Sequence, residues 1–427
     1  MGLIKKHIEW FVAIAIVMIT TIGFLKSLMS TLDFRIIIGC LKYLSFFVVF
    51  LLFLYQKYTH GVKIYDRFFF TFYIVYCLYI LVDITLFGIY PLEKMLAVPQ
   101  SIYDFMFCFV MSICYILCAK TIVEHFCVKK YLLISLIVCT IPSILFIQVV
   151  GIDTIQAGIG RDDEDYISTL SVTYSNMPVL VLAVMNYTRL FSKKIFSMIV
   201  CSFIIAAVVY ILSAYGKRGP ILWSFLSIVF CFFIKSASIK KVVLFFGIII
   251  AAFFIFMDPI IDVVKDELPK TGKRLESSLK EGDTSGRFDT DDPKHSTYLI
   301  GLENFSRSPI WGYYFRLVTD YKHYQGVYAH NVFIEILMTM GLLGFVPFMS
   351  LLLKVYFKSR KYFSHSYLPN QLAFFALFVC AFLQLQTTGS CVFKNNFWLF
   401  LYILCCMDEM SICPSVIRKI YILERKV

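Results

Sequence analysis

Charged residues are scarce in this sequence. Only 16% of the 427 residues are Asp, Glu, Lys or Arg, whereas 59% are hydrophobic and the mean hydropathy is +0.78. Soluble domains carry about 25% charged residues, so the composition argues against a soluble domain. Apolar runs of roughly 20 residues recur, and each could cross a bilayer core of about 30 Å as a helix. Because these runs lack the alternation of barrel strands, the sequence predicts an all-α polytopic membrane protein.

The cysteines offer neither a disulfide framework nor metal-ligand spacing. Nearly all of the 14 lie inside apolar runs, and the one long hydrophilic segment has none. We therefore interpret them as packing residues. Lys5 and Lys6 precede the first apolar run, but no small-residue cleavage site follows it. That run is interpreted as a retained span and not as a signal peptide.

Hydropathy predicts about twelve transmembrane helices. They are expected at 8–28, 34–55, 68–90, 102–123, 131–150, 168–188, 195–214, 219–234, 242–257, 332–353, 370–388 and 395–412. About nine of them form an N-terminal bundle in residues 1–257. A large, partly helical periplasmic loop is expected at 258–331, and about three helices and a cytoplasmic tail at 332–427.

Basic residues alternate between the connections. One set of loops is rich in Lys and Arg, and the other set is poorer and includes the acidic run at 161–165. The positive-inside rule then places both termini in the cytoplasm and residues 258–331 outside, in the periplasm of a Gram-negative cell. The same loops account for the net charge of +12, so nucleic-acid binding is not expected.

One short outer turn, at 215–220, breaks the rule. It carries Lys217 and Arg218 on the outside, where topology does not favour cations. They either bind an anionic ligand or snorkel to the lipid head groups. Three further ionisable residues fall toward the outer half of spans and are functional candidates by default: Lys42, Asp83 and Asp104.

The outer loop contains a predicted amphipathic helix. The spacing predicts a helix over 295–305, which Pro309 and Gly312 end. Its apolar side is expected to carry Tyr298, Leu299, Leu302 and Phe305. The aromatic residues that follow suit sugar faces and a membrane interface equally: Tyr313, Tyr314, Phe315, Tyr321, Tyr324 and Tyr328.

The stretch 328–344 joins this loop to the next apolar run. It carries His330-Asn331, then nine residues, then Gly341 and Gly344 one helical turn apart. His330 is expected at the foot of the outer loop, where a membrane helix meets water. The glycines are interpreted as permitting close helix packing.

These residues resemble a known signature. The H[NSQ]-x9-G-x-x-G pattern resembles that of the bacterial O-antigen polymerase (Wzy), O-antigen ligase (WaaL) and protein O-oligosaccharyltransferase superfamily. Upstream, 213–219 resembles the family's Ser/Arg-Gly turn, Ser285-Gly-Arg287 its loop arginine, and 308–312 its "npifGyG" segment. The resemblance covers about residues 200–350.

The resemblance implies transfer of a glycan from an undecaprenyl-pyrophosphate carrier to an acceptor hydroxyl. The acceptor is a second lipid-linked repeat unit for a polymerase, lipid A-core for a ligase, and a protein Ser or Thr for an oligosaccharyltransferase. We favour the polymerase, with the ligase as alternative. A glycan transporter is a second alternative, although the chain shows no inverted repeat. Implied partners are the lipid-linked oligosaccharide as donor and acceptor, a polysaccharide chain-length regulator, a repeat-unit flippase and membrane lipids.

The family chemistry assigns expected roles. It implies a metal-independent reaction without a cofactor, in which Arg218 and Arg287 stabilise the leaving pyrophosphate. His330, with an ordinary pKa of about 6.5, is expected to accept the proton of the acceptor hydroxyl. Four residues are predicted at the substrate: Lys217, Tyr328, Asn331 and Glu335. Asn331 either caps the helix or orients His330, and Glu335 either holds the imidazole or an arginine or has a structural role.

Overall fold

The protein is described here by a computed structural model. It describes residues 2–31, 35–87, 98–152, 155, 169–215, 218–235, 247, 297–312, 331–365, 369–386, 391 and 394–410. The helices are α1 (Gly2–Thr31), α2 (Arg35–Thr59), α3 (Arg67–Phe87), α4 (Val98–Leu117), α5 (Ala119–His125), α6 (Val128–Ser135), α7 (Ile141–Val150), α8 (Thr169–Met185), α9 (Lys194–Ala214), α10 (Arg218–Lys235), α11 (Thr297–Arg307), α12 (Val332–His365), α13 (Pro369–Gln384) and α14 (Asn395–Met410). A π-helical turn, Leu136–Thr140, joins α6 to α7.

Helices occupy eleven of the twelve predicted span positions. The ninth, 242–257, lies outside the described residues apart from Gly247. Among the described residues, three segments are long and apolar enough to cross a membrane: Val128–Val150, Lys194–Ala214 and Val332–Arg360. The pair Met106–Leu117 and Ala119–His125 makes a fourth if its 58° bend lies within one span. The protein is an all-helical membrane protein, and the count of twelve stays a prediction.

Helix α14 is buried at the centre of the bundle. Its side chains from Asn396 to Met407 are all buried, and it packs against α4, α12 and α13. A helix that is apolar all round is typical of a segment surrounded by protein. Its Trp398 ring lies 5.1 Å from the ring of Tyr73 and 5.3 Å from that of Tyr76, both on α3. The outer face of α9 is exposed and not buried. Its Phe203 is 75% exposed and suits a lipid-facing surface.

Charge pairs hold the end of the bundle at which α2 ends and α3 begins, which we call the basic end. Asp66 accepts from a backbone N–H in the first turn of α3 at 3.0 Å, and it pairs with Lys354 of α12. One turn later, Lys358 lies 3.2 Å from Asp408 of α14. These pairs tie α3, α12 and α14 together at one level.

Helix α12 is sharply bent at Gly341. The Phe333 and Phe348 rings are 6.3 Å apart, although fifteen helical steps between the two residues would span about 22 Å in a straight helix. The residues before Gly341 must therefore fold back beside the residues after it. We call 332–340 the first arm of α12 and 342–365 its second arm. A span was predicted at 332–353, and the segment Val332–Arg360 is long and apolar enough to cross a membrane. The bend at Gly341 was not predicted, because hydropathy cannot distinguish a folded-back arm from a straight span.

A candidate active site at the fold-back of α12

The predicted site residues are described to different extents. His330, Arg287, Lys217 and Tyr328 lie outside the described residues. Arg218 opens α10, and its backbone is described. Asn331 and Glu335 are described in full, so the geometry of the site is built from them and from the elements that surround them.

Asn331 caps the first arm of α12. Its Oδ1 accepts from the backbone N–H of Phe333 at 3.0 Å and from that of Ile334 at 3.2 Å. An Asn in this position satisfies N–H groups that a helix start leaves without partners. Of the two alternatives for Asn331, capping is confirmed. His330 therefore immediately precedes a fixed helix start.

Glu335 is a buried carboxylate one turn further on. Its side chain is 1% exposed, and Oε2 accepts from the backbone N–H of Cys391 at 3.3 Å. Cys391 belongs to the connection between α13 and α14, residues 385–394. The carboxylate thus holds this connection against the first arm of α12.

Cys391 joins three helices to this connection. Its Sγ lies 2.9 Å from the hydroxyl of Tyr76 on α3. Its carbonyl oxygen accepts from Nε1 of Trp398 on α14 at 2.8 Å and from the backbone N–H of Lys394 at 3.3 Å. With Glu335, these contacts fix the start of α14 relative to α3 and α12. Sequence reasoning missed Cys391, because the cysteines were interpreted together as packing residues.

Five phenylalanine rings bring the starts of two helices to the same depth. Phe333, just after Asn331, lies 6.3 Å from Phe348 and 5.7 Å from Phe382. Phe397, just after Lys394, lies 6.3 Å from Phe348 and 6.5 Å from Phe382. The fifth ring, that of Phe345, lies 6.4 Å from Phe333. We call these five rings the aromatic layer. Asn331 and Lys394 therefore both lie beside this layer.

The start of α10 lies at a similar depth. Arg360 of α12 stacks over the ring of Phe233 at 5.8 Å, and α10 packs against α12. In α10, Arg218 comes fifteen positions before Phe233. In α12, Phe345 comes fifteen positions before Arg360. Since helices rise about 1.5 Å per residue, Arg218 begins α10 at about the depth of Phe345. The start of α10 and the Asn331 cap thus lie at about the same depth along the bundle.

The bend in α12 is completed by a turn from another part of the chain. Residues 308–312 follow α11, and their carbonyls replace those that the bend removes. Pro309 O accepts from Leu342 N at 2.9 Å, and Ile310 O accepts from Leu343 N at 3.2 Å. Tyr79 of α3 donates its hydroxyl to the carbonyl of Trp311 at 2.6 Å. Non-helical backbone at membrane depth is stable only when satisfied in this way.

The glycines of the motif make this joint possible. Gly341 has φ 60° and ψ −156°, a conformation that is essentially restricted to glycine. A Cβ on Gly341 would lie 2.5 Å from Ile310 O, and one on Gly312 would lie 2.3 Å from Thr339 O. A Cβ on Gly344 would meet the Met340 side chain of the first arm at 2.3 Å. The prediction that Gly341 and Gly344 permit helix packing is thus corrected, because they permit a bend and its joint.

Helix α11 lies close to its predicted position in the sequence, but the face that it buries differs from the predicted one. It was expected at 295–305 and spans Thr297–Arg307, after which the turn at Pro309 and Gly312 begins. Tyr298 is buried as expected, but Leu302 is 42% exposed and the predicted apolar side is wrong there. The face toward the protein includes Gly301 and Asn304, both buried. A small residue on this face allows α11 to approach α12 closely.

A comparison with protein families identifies this region. Residues 201–349 match the family model Wzy_C, described as O-antigen ligase.

These residues are similar to the Wzy/WaaL superfamily.

The match covers about a third of the chain and contains α10, α11 and the bend in α12. The resemblance seen in the sequence over 200–350 is thereby confirmed. Members of the family are glycosyltransferase-like enzymes of O-antigen assembly, and the family implies lipid-linked oligosaccharide substrates. A search of curated proteins found no match to the chain.

Proposed function

We propose that this protein is an O-antigen polymerase of the bacterial inner membrane. It joins oligosaccharide repeat units that are linked to undecaprenyl pyrophosphate, at the periplasmic face. The observation that supports the proposal is that the start of α10 at Arg218 and the Asn331 cap lie at about the depth of one aromatic layer, within the residues that match the family model. Both termini are then cytoplasmic, and residues 258–331 face the periplasm.

The reaction requires charge stabilisation and proton removal. Arg218 and Arg287 hold the diphosphate, because a guanidinium offers a planar fork to phosphate oxygens without a metal ion. Arg218 is favoured for this role because it opens α10, where backbone N–H groups carry partial positive charge. His330 accepts the proton from the acceptor hydroxyl. The cap at Asn331 supports this role, since a fixed helix start limits where the preceding residue can lie.

The remaining predicted residues act around this centre. Lys217 and Tyr328 contact the substrate, and Asn331 orients the chain at His330. Glu335 acts from a buried position, through the Cys391 connection that it holds. A chain-length regulator and a flippase act with the protein on the same lipid-linked repeat units.

An O-antigen ligase is the second candidate, and the description of the matching family favours it. The two candidates differ in the acceptor, which is a lipid-linked repeat unit for the polymerase and lipid A-core for the ligase. The lipopolysaccharide profile of a deletion strain separates them. Loss of a polymerase leaves core capped by one repeat unit. Loss of a ligase leaves bare core and accumulated lipid-linked polymer, and that result would reject the polymerase.

The motif histidine tests the chemistry itself. His330→Ala in the same strain is expected to abolish polymer while the amount of protein in the membrane is unchanged, because the proton acceptor is lost. Immunoblots of membranes and silver-stained lipopolysaccharide gels measure both quantities. Full-length ladders from the His330→Ala strain would show that His330 is not the base.

A further inference from the structure

Lys394 differs from several other described lysines in having no described charge partner. It precedes α14 and is partly buried, and the described part of the chain offers its ammonium group neither an ion pair nor a hydrogen bond. Several other described lysines have a carboxylate within reach: Lys120 with Glu124, Lys130 with Glu9, Lys354 with Asp66, and Lys358 with Asp408. Within the described residues, Lys394 is thus a cation without a carboxylate partner.

An unneutralised cation in such a place is unfavourable. Burial lowers the pKa of Lys394 to about 8, because desolvation disfavours the charged form and no carboxylate among the described residues offsets it. A desolvated charge without a partner is costly. An anion bound during the reaction would remove this cost.

The surroundings of Lys394 also favour an anion. Its backbone carbonyl accepts a hydrogen bond from Phe397 N in the first turn of α14 at 3.0 Å, so the residue lies at a helix N-terminus. The first arm of α12 begins beside the same aromatic layer, after Asn331. Helix N-termini carry partial positive charge. Two helix starts and one ammonium group therefore contribute positive charge here, beside the buried carboxylate of Glu335.

The connection between Lys394 and the motif is short. Glu335, one turn after Asn331, accepts from the N–H of Cys391, and the carbonyl of Cys391 accepts from the N–H of Lys394. Two hydrogen bonds thus link the backbone of Lys394 to the arm that begins after His330. The position of this lysine relative to the motif is fixed by the fold.

We propose that Lys394 is a substrate-binding residue that contacts the diphosphate of the lipid-linked donor, together with the arginines of the proposed site. The inference rests on the proposed function in its choice of a diphosphate as the anion. By the predicted topology, Lys394 also joins Lys217 and Arg218 as a cation on the outer side, where the positive-inside rule disfavours it.

Binding of inorganic pyrophosphate to the purified full-length protein in a non-ionic detergent tests this inference. Isothermal titration calorimetry on Lys394→Met is expected to show a dissociation constant at least about tenfold higher than wild type, which corresponds to about 1.4 kcal/mol. Lys394→Arg keeps the charge and is expected to bind within about threefold of wild type. Lys354→Met is the matched control, because it removes an ammonium at the basic end and leaves pyrophosphate affinity unchanged. Wild-type affinity in Lys394→Met would overturn the proposal.

Three further outcomes are decisive. If Lys394→Met lowers the yield of folded protein, Lys394→Gln replaces it, and pyrophosphate should raise the melting temperature of wild type and Lys394→Arg but not of Lys394→Gln. If Lys394→Met alters binding of phosphatidylglycerol and not of pyrophosphate, the lysine serves a lipid head group and the proposal is wrong. Because pyrophosphate binding requires no glycosyl transfer, Lys394-dependent binding in a protein without polymerase activity would reject only the proposed function.

Discussion

The two ends of this bundle are held together by different interactions. At the basic end, side-chain charge pairs such as Asp66 with Lys354 connect α3, α12 and α14. At the other end, which we call the site end, backbone hydrogen bonds connect α12 to the 308–312 turn, and the Glu335 carboxylate connects α12 to the backbone N–H of Cys391. Charge pairs tolerate small shifts of long side chains, whereas backbone joints require specific residues at fixed positions.

The two ends also differ in the charge partners of their lysines, and this difference bears on the proposed function. Lys354 and Lys358 at the basic end are paired within the protein, whereas Lys394 beside the aromatic layer has no described carboxylate partner. A charge that is paired internally serves stability, and a charge that is left over is available to a ligand. On the proposed function, the comparison teaches that the site end gives up a stabilising ion pair where it would bind substrate, and is held by hydrogen bonds to backbone groups nearby.

The strongest disruption of the site end is expected from Gly341→Ala. The new Cβ would lie 2.5 Å from Ile310 O, and the φ of 60° alone costs about 1–3 kcal/mol for alanine. We expect a loss of more than about 3 kcal/mol of stability and of all activity, because the 308–312 joint must open. Thermal unfolding of the purified protein and polymer formation in cells measure the two effects.

Gly61→Ala is the matched control for this substitution. Gly61 also has a positive φ, 69°, but a Cβ there would have nothing within 4 Å. Only the conformational cost remains, so stability should fall by about 1–2 kcal/mol with activity retained. Equal effects of the two substitutions would show that strain, and not the joint with Ile310, determines the requirement for Gly341.

At the basic end, Lys354→Met separates stability from activity. Asp66 is 6% exposed, so removal of its partner leaves a buried carboxylate. The expected loss lies between about 1 kcal/mol for an exposed pair and about 3–5 kcal/mol for a buried one. The double variant with Asp66→Asn should recover part of the loss. Turnover per folded molecule should match wild type, and a specific loss of turnover would place Lys354 in the reaction.

Two substitutions of Glu335 separate the effect of its charge from the effect of its hydrogen bond at the site end. Glu335→Ala leaves the buried N–H of Cys391 without its acceptor, which costs about 1–3 kcal/mol. Glu335→Gln retains an acceptor oxygen and should keep most of the stability and activity. Melting temperature and polymer yield of the two variants measure this. A stable but inactive Glu335→Gln would assign the carboxylate charge a direct role with His330 or an arginine.

The smallest effect is expected from Tyr79→Phe. This substitution removes only the hydroxyl that donates to Trp311 O at 2.6 Å. Two other hydrogen bonds hold the 308–312 turn, so stability should fall by about 1 kcal/mol and polymer should still form. Complete loss of polymer would mean that this bond positions the turn during the reaction.

Several features followed from the sequence alone. Apolar runs predicted helices at eleven positions where the structure has them, because a membrane helix must be apolar along most of its length. Capping was one of the two roles predicted for Asn331 from its place before an apolar run, since capping is a local interaction. The motif residues also predicted the family resemblance over about 200–350, because residue types and their spacing are visible in one dimension.

Other features were decided only by the tertiary structure. Glycines spaced as Gly341 and Gly344 are compatible with a straight packed helix or with a bend, and only the docked carbonyls of 308–312 determine which forms. Lys394 could have been noticed as an outer cation, yet its lack of a described partner depends on which carboxylates fold near it. Cys391 and Glu335 are 56 residues apart in the chain, so local spacing carries no information about their contact. Contacts between distant segments depend on the packing of the whole bundle, and they assemble this site.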